Sequence, residues 1–238
     1  MVPRLLVFDL DGTLIDSRED LSNSVNAMLA HLGKPELPHA VIAGYIGDGA
    51  SMLVRRALGD PEGDVHDAEF VDGAVEFFLD YYRQHKLDYT YVYDGVMDAL
   101  EAIRREWPGI PMAVLTNKPV RPSVDICTHF GLDRYFFRIY GGNSFHTKKP
   151  DATGLLALMA EAAALDAAME KILPAETVML GDSDVDILTA RNCGARSVGC
   201  SYGLAPERLA AAAPEVVART PAGWVESLRE LAAAVTPR

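Results

Sequence analysis

The sequence predicts an α/β fold: a Rossmann-like parallel-sheet core from residues 1 to 15 and 89 to 238, interrupted by an inserted all-helical cap over residues 16 to 88. Three observations carry this prediction. Short, wholly apolar runs at residues 5 to 8, 112 to 115 and 178 to 180 each end in a polar cluster, as buried parallel strands do where they present ligand-binding groups. Segments of helical periodicity separate the second and third runs. Residues 16 to 88, by contrast, carry two helical faces and no convincing buried strand.

Taken in order, the first strand spans residues 5 to 8 and stops at Asp9. In the cap, Val25, Met28, Leu29 and Leu32 make one apolar helix face, and Val71, Val75, Phe78, Leu79 and Tyr82 make another. Gly44, Gly47 and Gly49 interrupt the region, and residues 60 to 64, Asp-Pro-Glu-Gly-Asp, read as an exposed turn. Val96, Met97, Leu100, Ile103 and Trp107 recur at helical spacing until Pro108-Gly109 ends the helix before the second strand. A further helix is expected over 123 to 130, stopping near Gly131. The alanine-rich stretch from 151 to 172 favours helix, and its length suggests two helices or a helix and a turn. Residues 196 to 199 and 215 to 217 are weaker strand candidates. Pro221 is placed to open a last helix carrying Trp224, Leu228 and Leu231.

Composition narrows the function. With 238 residues, 49% of them apolar, the chain can bury a sizeable core without disulfides. Its 34 acidic residues against 22 lysines and arginines give a net charge of -12, which repels nucleic acid and anionic membranes. Cys127, Cys193 and Cys200 have no metal-site spacing and fit space-filling in a reducing compartment. The opening apolar run is too short for a signal-peptide core, and no later run is long enough to span a bilayer, so cytoplasmic residence is expected.

Four clusters hold the chemistry. In Asp9-Leu10-Asp11-Gly12-Thr13, two carboxylates two residues apart just past a strand can face one space, one attacking and the other handling a proton. A proton donor at neutral pH must be held above the ordinary aspartate value of about 3.9. Gly12 lets the chain turn away, and Thr13 is placed to tie that turn with its hydroxyl. In Leu115-Thr116-Asn117-Lys118-Pro119, a hydroxyl and free N-H groups ahead of a helix suit phosphoryl oxygens, although taken alone the stretch reads better as helix capping. Lys148-Lys149 is an anion clamp or a solvated loop. Gly181-Asp182-Ser183-Asp184-Val185-Asp186 supplies hard oxygen ligands for a magnesium ion, with Asp184 reading as a helix cap.

Together these stretches resemble, in order, the four motifs of the haloacid dehalogenase superfamily of aspartate-nucleophile phosphatases, and within it the phosphoglycolate phosphatase group. The resemblance covers the whole chain. It implies that Asp9 is the nucleophile and a metal ligand, and that Asp11 is the general acid and base, touching the metal through its carbonyl. It further implies that Thr116, the Asn117 amide and Lys149 hold phosphate. By the same resemblance, Asp182 is expected to ligate Mg2+, and Asp186 to do so directly or through a bound water. Two features depart from the pattern: Ala152 stands where the family often has a second proline, and residues 154 to 174 form a longer stretch than is usual. Asp11 argues against carbon-halogen cleavage, which expels halide and needs no proton.

The expected reaction is therefore hydrolysis of a small phosphorylated metabolite through a phosphoaspartate, with 2-phosphoglycolate as the preferred substrate. A sugar phosphatase, a β-phosphoglucomutase-like phosphomutase and a non-enzymatic binding protein are the competing readings. Arg55 and Arg56 are candidates to meet a substrate carboxylate, though each is more natural as a solvated helix charge, and Tyr45 is a candidate wall of the cavity. Monomer and homodimer are both compatible with the sequence.

Overall fold

The computed structural model describes residues 2–165 and 171–234. The chain begins with β1 (Leu5–Phe8), turns tightly and enters β2 (Ile15–Asp16). Four helices follow: α1 (Arg18–His31), α2 (His39–Ala43), α3 (Ala50–Ala57) and α4 (Ala68–His85). The chain returns through β3 (Tyr91–Val92), which pairs antiparallel with β2. From there helices and strands alternate: α5 (Val96–Glu106), β4 (Met112–Leu115), α6 (Val120–His129), β5 (Arg138–Tyr140), α7 (Thr153–Ala163), β6 (Thr177–Gly181), α8 (Asp184–Cys193), β7 (Arg196–Cys200), α9 (Pro206–Ala212), β8 (Val216–Ala218) and α10 (Trp224–Ala233).

Six of the strands form one parallel sheet in the order β5-β4-β1-β6-β7-β8. β1, β4 and β6 are buried on both faces, which is why their sequences are continuous apolar runs and not alternating ones. On one face, Phe8 packs against Phe136 and Trp224, with ring centroids 5.7 and 5.3 Å away, and α5 and α10 complete that layer through Leu100, Ile103 and Leu228. On the other, Leu5 and Val7 meet Leu155, Leu158 and Met159 of α7. The chain order changes direction on either side of β1. Its carboxyl end, where Asp9 lies, is therefore the crevice in which such sheets bind ligands.

Helices α1, α3 and α4 bury a separate apolar cluster that includes Val25, Met28, Val54, Val71 and Phe78. No strand occurs between α1 and α4 among the described residues, as the periodicity predicts. At the base of this unit the Asp20 carboxylate accepts hydrogen bonds from the N-H groups of Tyr89 and Thr90 and from the Thr90 hydroxyl, at 2.7 to 3.1 Å. The outgoing and returning chain segments are thereby bolted together.

Other expectations fared variously. Residues 196 to 199 and 215 to 217 lie in or against strands β7 and β8, and a short 3-10 turn at Pro221–Gly223 leads into α10 as predicted. α6 starts three residues before the expected 123, because Pro119 supplies its N-cap. Of the alanine-rich stretch, α7 occupies the first part; residues 166 to 170 lie outside the described residues. The edge strand β5 and the β2–β3 pair were not anticipated. Thr13 does not tie its turn: its hydroxyl is buried without a hydrogen-bond partner. Backbone bonds close the turn instead, from Gly12 N-H to the Ile15 carbonyl at 2.8 Å and from Leu14 N-H to that of Leu10 at 3.0 Å, while the Tyr202 hydroxyl donates to the Thr13 carbonyl at 2.8 Å.

Candidate active site

Parallel pairing in register brings three motif residues side by side. β1 lies between β4 and β6, so the residues that follow each strand, Asp9, Thr116 and Asp182, emerge at the same edge. Asp9 and Asp182 are 6% and 3% exposed and Asp186 is fully buried, an arrangement that ionised carboxylates tolerate only with counter-charge.

Lys149 supplies part of that charge. From the loop after β5, its Nζ donates to Asp9 Oδ1 at 2.7 Å and to Asp186 Oδ1 at 2.6 Å. The other Asp186 oxygen accepts from the N-H and hydroxyl of Ser183, at 3.1 and 2.8 Å, locking it at the start of α8. Asp182 Oδ2 accepts from the Leu204 N-H at 2.6 Å. These contacts leave Asp9 Oδ2 and Asp182 Oδ1 without a hydrogen-bond donor among the described residues. Ligand atoms of Asp9, Asp182 and Asp186 lie within 4.8 Å of one another.

The two turns that frame this cluster approach it with no room to spare. Gly12 has φ +88°, and a Cβ there would lie 2.1 Å from Asp182 Oδ2; one at Gly203 would lie 2.3 Å from Asp182 Cβ. Only glycine fits where the backbone presses on the ligand cluster. Gly203 and Leu204 were missed by sequence reasoning, and nothing in the local pattern marks them.

Asp11 lies on the cleft side. It accepts from the Ser17 hydroxyl at 2.5 Å and from Lys118 Nζ at 2.9 and 3.1 Å. Sequence reasoning gave Lys118 no role, because its partner is 107 positions away. The Lys118 side chain is 3% exposed and sits 4.6 Å above the Tyr82 ring of the helical unit. Lys148, unlike Lys149, points to the rim, where its Nζ donates to the Asp48 carbonyl at 2.6 Å.

Electrostatics follow from this crowding. Burial, reinforced by Asp186 and Asp11 and only partly opposed by Lys149, pushes Asp9 up to about 7. Burial, then Asp186 and Asp9, holds Asp182 well above the usual carboxylate range. For Lys149, burial disfavours the charge, but Asp186 and Asp9 outweigh it and the net shift is upward. The same balance, with Asp11 and Tyr82 as the partners, raises Lys118. Four carboxylates thus face two ammonium groups, a deficit that one divalent cation removes. All-oxygen donors with no histidine or cysteine suit Mg2+, so the residues present fit that ion. Burial pushes the thiols of Cys127 and Cys200 up to about 12, so neither is ionised near neutral pH.

Thr116 and Asn117 border the same cleft. The backbone N-H groups of Leu10, Asp11 and Asn117 have no acceptor among the described residues and remain available as donors. The Asn117 side chain is used structurally: its Nδ2 donates to the carbonyls of Gly47 and Lys149 at 3.1 and 3.0 Å. The opposite wall is apolar, formed by Leu21, Ile46, Ala50, Leu53, Phe78 and Leu79, with Tyr82 beside Lys118. Neither arginine candidate lines the cleft. Arg55 pairs with Asp60 at 3.0 Å and Arg56 with Asp48 at 2.6 Å; Tyr45 packs in the cap cluster and is not part of the wall. Asp48 also pairs with Arg208 of α9 at 3.1 Å, and Arg208 in turn reaches Asp184 at 2.8 Å. Asp184 is therefore an ion-pair partner as well as a residue of the first helical turn.

A sequence model of haloacid dehalogenase-like hydrolases matches residues 6–200. The chain belongs to the haloacid dehalogenase-like hydrolases. Its relatives place it in the phosphoglycolate phosphatase group of that family. It is 38% identical over 233 residues to phosphoglycolate phosphatase 1 of Pseudomonas aeruginosa, which covers 97% of this chain and 79% of the relative. The phosphoglycolate phosphatase of Chromobacterium violaceum is 38% identical over 202 residues, 85% of this chain and 86% of that one. Among solved structures, a predicted phosphoglycolate phosphatase from Haemophilus somnus superposes with a TM-score of 0.83 at 28% identity, over 94% of this chain and 97% of that one. A predicted phosphatase from Clostridium acetobutylicum superposes with a TM-score of 0.79 over 99% of this chain and 100% of that one; at 23% identity it bears on the fold alone. As a member of this family the chain is a phosphate monoester hydrolase acting on a small phosphorylated molecule. No helix among the described residues is long and apolar enough to cross a membrane.

Proposed function

We propose that the protein hydrolyses 2-phosphoglycolate to glycolate and phosphate through a phosphoaspartate on Asp9. One observation supports this reading above all: Lys149 joins Asp9 to Asp186 beside Asp182, and Asp9 lines, with Asp11, the cleft under the helical unit. Mg2+, held by Asp9, Asp182, Asp186 and the Asp11 carbonyl, would supply positive charge that offsets repulsion between the nucleophile and an anionic phosphate.

The chain's own residues account for the remaining steps. Thr116, the Asn117 N-H and Lys149 hold the phosphoryl oxygens while a carboxylate oxygen of Asp9 attacks phosphorus. As the bond to the ester oxygen breaks, Asp11 gives that oxygen its proton. Asp11 then takes a proton from water, whose oxygen attacks the phosphoaspartate and frees both phosphate and Asp9. Residues 16 to 88 act as the cap, and their apolar wall excludes competing water.

A small ester suits this cleft better than a sugar phosphate. Along the cap wall, among the described residues, only Tyr82 carries a polar side-chain group, and a hexose would bury hydroxyls there without partners. The test is phosphate release from a panel of monoesters with saturating Mg2+. Phosphoglycolate should give the highest kcat/KM, chelation should abolish turnover, and Asp9→Asn should remove it. Turnover that survives Asp9→Asn rules out the nucleophile. A preference for hexose phosphates rules out the substrate, and isomer formation in place of free phosphate points to a mutase.

A further inference from the structure

Resting on that reading, the geometry carries it one step further. The cleft has, among the described residues, one cationic side chain in its wall, Lys118. Each basic group around the mouth is engaged elsewhere: Arg55 by Asp60, and Arg56, Lys148 and Arg208 by Asp48. A substrate bearing a second anion can meet counter-charge in the cleft at Lys118 alone.

The position of that charge is informative. Asp11, the group proposed to protonate the leaving oxygen, holds the Lys118 ammonium at 2.9 Å. A cation next to the proton donor is next to the leaving oxygen too, and so within reach of a group one carbon further along. Lysine has three N-H donors. Asp11 takes at most two of them, and the neutral Tyr82 ring lies over the ammonium 4.6 Å away. With its side chain 3% exposed, Lys118 is held in place rather than sampling solvent.

We propose that Lys118 is the specificity determinant of this enzyme, donating a hydrogen bond to a carboxylate carried on the carbon next to the ester oxygen. The substrate class is thus the α-phosphoryloxy acids. Esters with the carboxylate one carbon further away place it beyond the ammonium, and uncharged alcohol esters leave the ammonium with Asp11 alone.

The test compares kcat/KM for phosphoglycolate with that for ethyl phosphate, which replaces the carboxylate by a methyl group, in wild type, Lys118→Met and Lys118→Arg. Because both esters are read on the same enzyme sample, a misfolded fraction cancels from the ratio, and Lys118→Arg, which keeps a cation beside Asp11, controls for an altered proton donor. A charge-assisted hydrogen bond of this kind corresponds to roughly a 10- to 100-fold preference. Lys118→Met should lower the ratio by about that factor, mainly through KM for phosphoglycolate, while Lys118→Arg should retain most of it. Wild type should also favour 2-phosphoglycerate over 3-phosphoglycerate. If wild type prefers phosphoglycolate and Lys118→Met keeps that preference, the assignment of Lys118 is overturned and the proposed activity stands. If wild type shows no preference for phosphoglycolate over ethyl phosphate, the substrate reading itself has failed.

Discussion

Asp9→Asn should make the metal-free protein more stable above neutral pH while removing its turnover. The sign follows from the folded-state value of Asp9, about 7, which lies above its ordinary 3.8. A group that binds its proton more tightly when folded contributes stability that is full below about pH 3.8 and lost as pH rises through 7. The gap is about three pH units, and at about 1.4 kcal/mol for each the wild-type deficit at pH 8 approaches roughly 4 kcal/mol. Asparagine removes the charge and keeps a carbonyl oxygen that can accept from Lys149. It forfeits the attraction to that ammonium, so 4 kcal/mol is a ceiling. For a protein of this size each kcal/mol moves Tm by about 2–4 °C, which sets an expected rise of up to about 8–16 °C.

The assay is thermal unfolding of both proteins after chelation, at pH 5 and pH 8, and again in excess Mg2+. At pH 5 the gap should be smaller, at most about 1.6 kcal/mol or roughly 3–6 °C, because only the interval from 3.8 to 5 has been crossed. At pH 8 the variant should melt higher. Added Mg2+ should narrow the gap, since ion binding stabilises wild type by about 2.7 kcal/mol at a hundredfold excess over Kd and the variant has lost a carboxylate charge. A metal-free variant that melts at or below wild type at pH 8 would refute the claim that this carboxylate is held against its solvation.

Three further outcomes follow from the same geometry. Lys149→Met strips the cation from two buried carboxylates, and breaking such a pair costs about 3–5 kcal/mol; the urea midpoint should fall sharply at pH 8 and less at pH 5, and an unchanged midpoint would show the pairs do not form. Gly203→Ala pushes a methyl group against Asp182, so it should cost about 1–3 kcal/mol of stability and weaken Mg2+ binding by calorimetry; wild-type affinity would contradict the close approach. Arg208→Ala frees the turn at Ile46 and Asp48 from α9 and should raise KM severalfold with little change in Tm, because pairs still partly open to solvent contribute about 1 kcal/mol; an unaltered KM would separate that contact from closure.

Much of this was legible in the sequence because burial writes plainly. β1, β4 and β6 are covered on both faces, so their apolar runs and the polar residues after them could be read directly. The edge strand β5 reads Arg-Ile-Tyr, with a pattern set by one neighbour and solvent, and β2 and β3 have two residues each; none carries a period. The motif carboxylates and Lys149 were nameable from type and order. Lys118 was not, because its meaning comes from Asp11 across the cleft. Gly203 and Leu204 escaped for the same reason: each matters through Asp182, some twenty positions earlier, and neither residue type signals that neighbour. Thr13 shows the converse, a plausible local bond that the fold replaces with backbone contacts and a tyrosine from another element.

The placement of the two lysines also explains why a single cation was not enough. Lys149 lies beside Asp9, its ammonium shared between Asp9 and Asp186. On the proposed reading it serves the phosphoryl group, which every monoester has. Lys118 lies across the site with Asp11, against the apolar cap wall, where a leaving group would sit. In such surroundings charges are weakly screened, so a cation there discriminates strongly between leaving groups that carry an anion and those that do not. Moving the second charge next to Asp9 would strengthen binding of all phosphate esters equally and select among none. Selectivity therefore requires the separation that the fold creates, with one ammonium delivered by the loop after β5 and the other by the turn after β4.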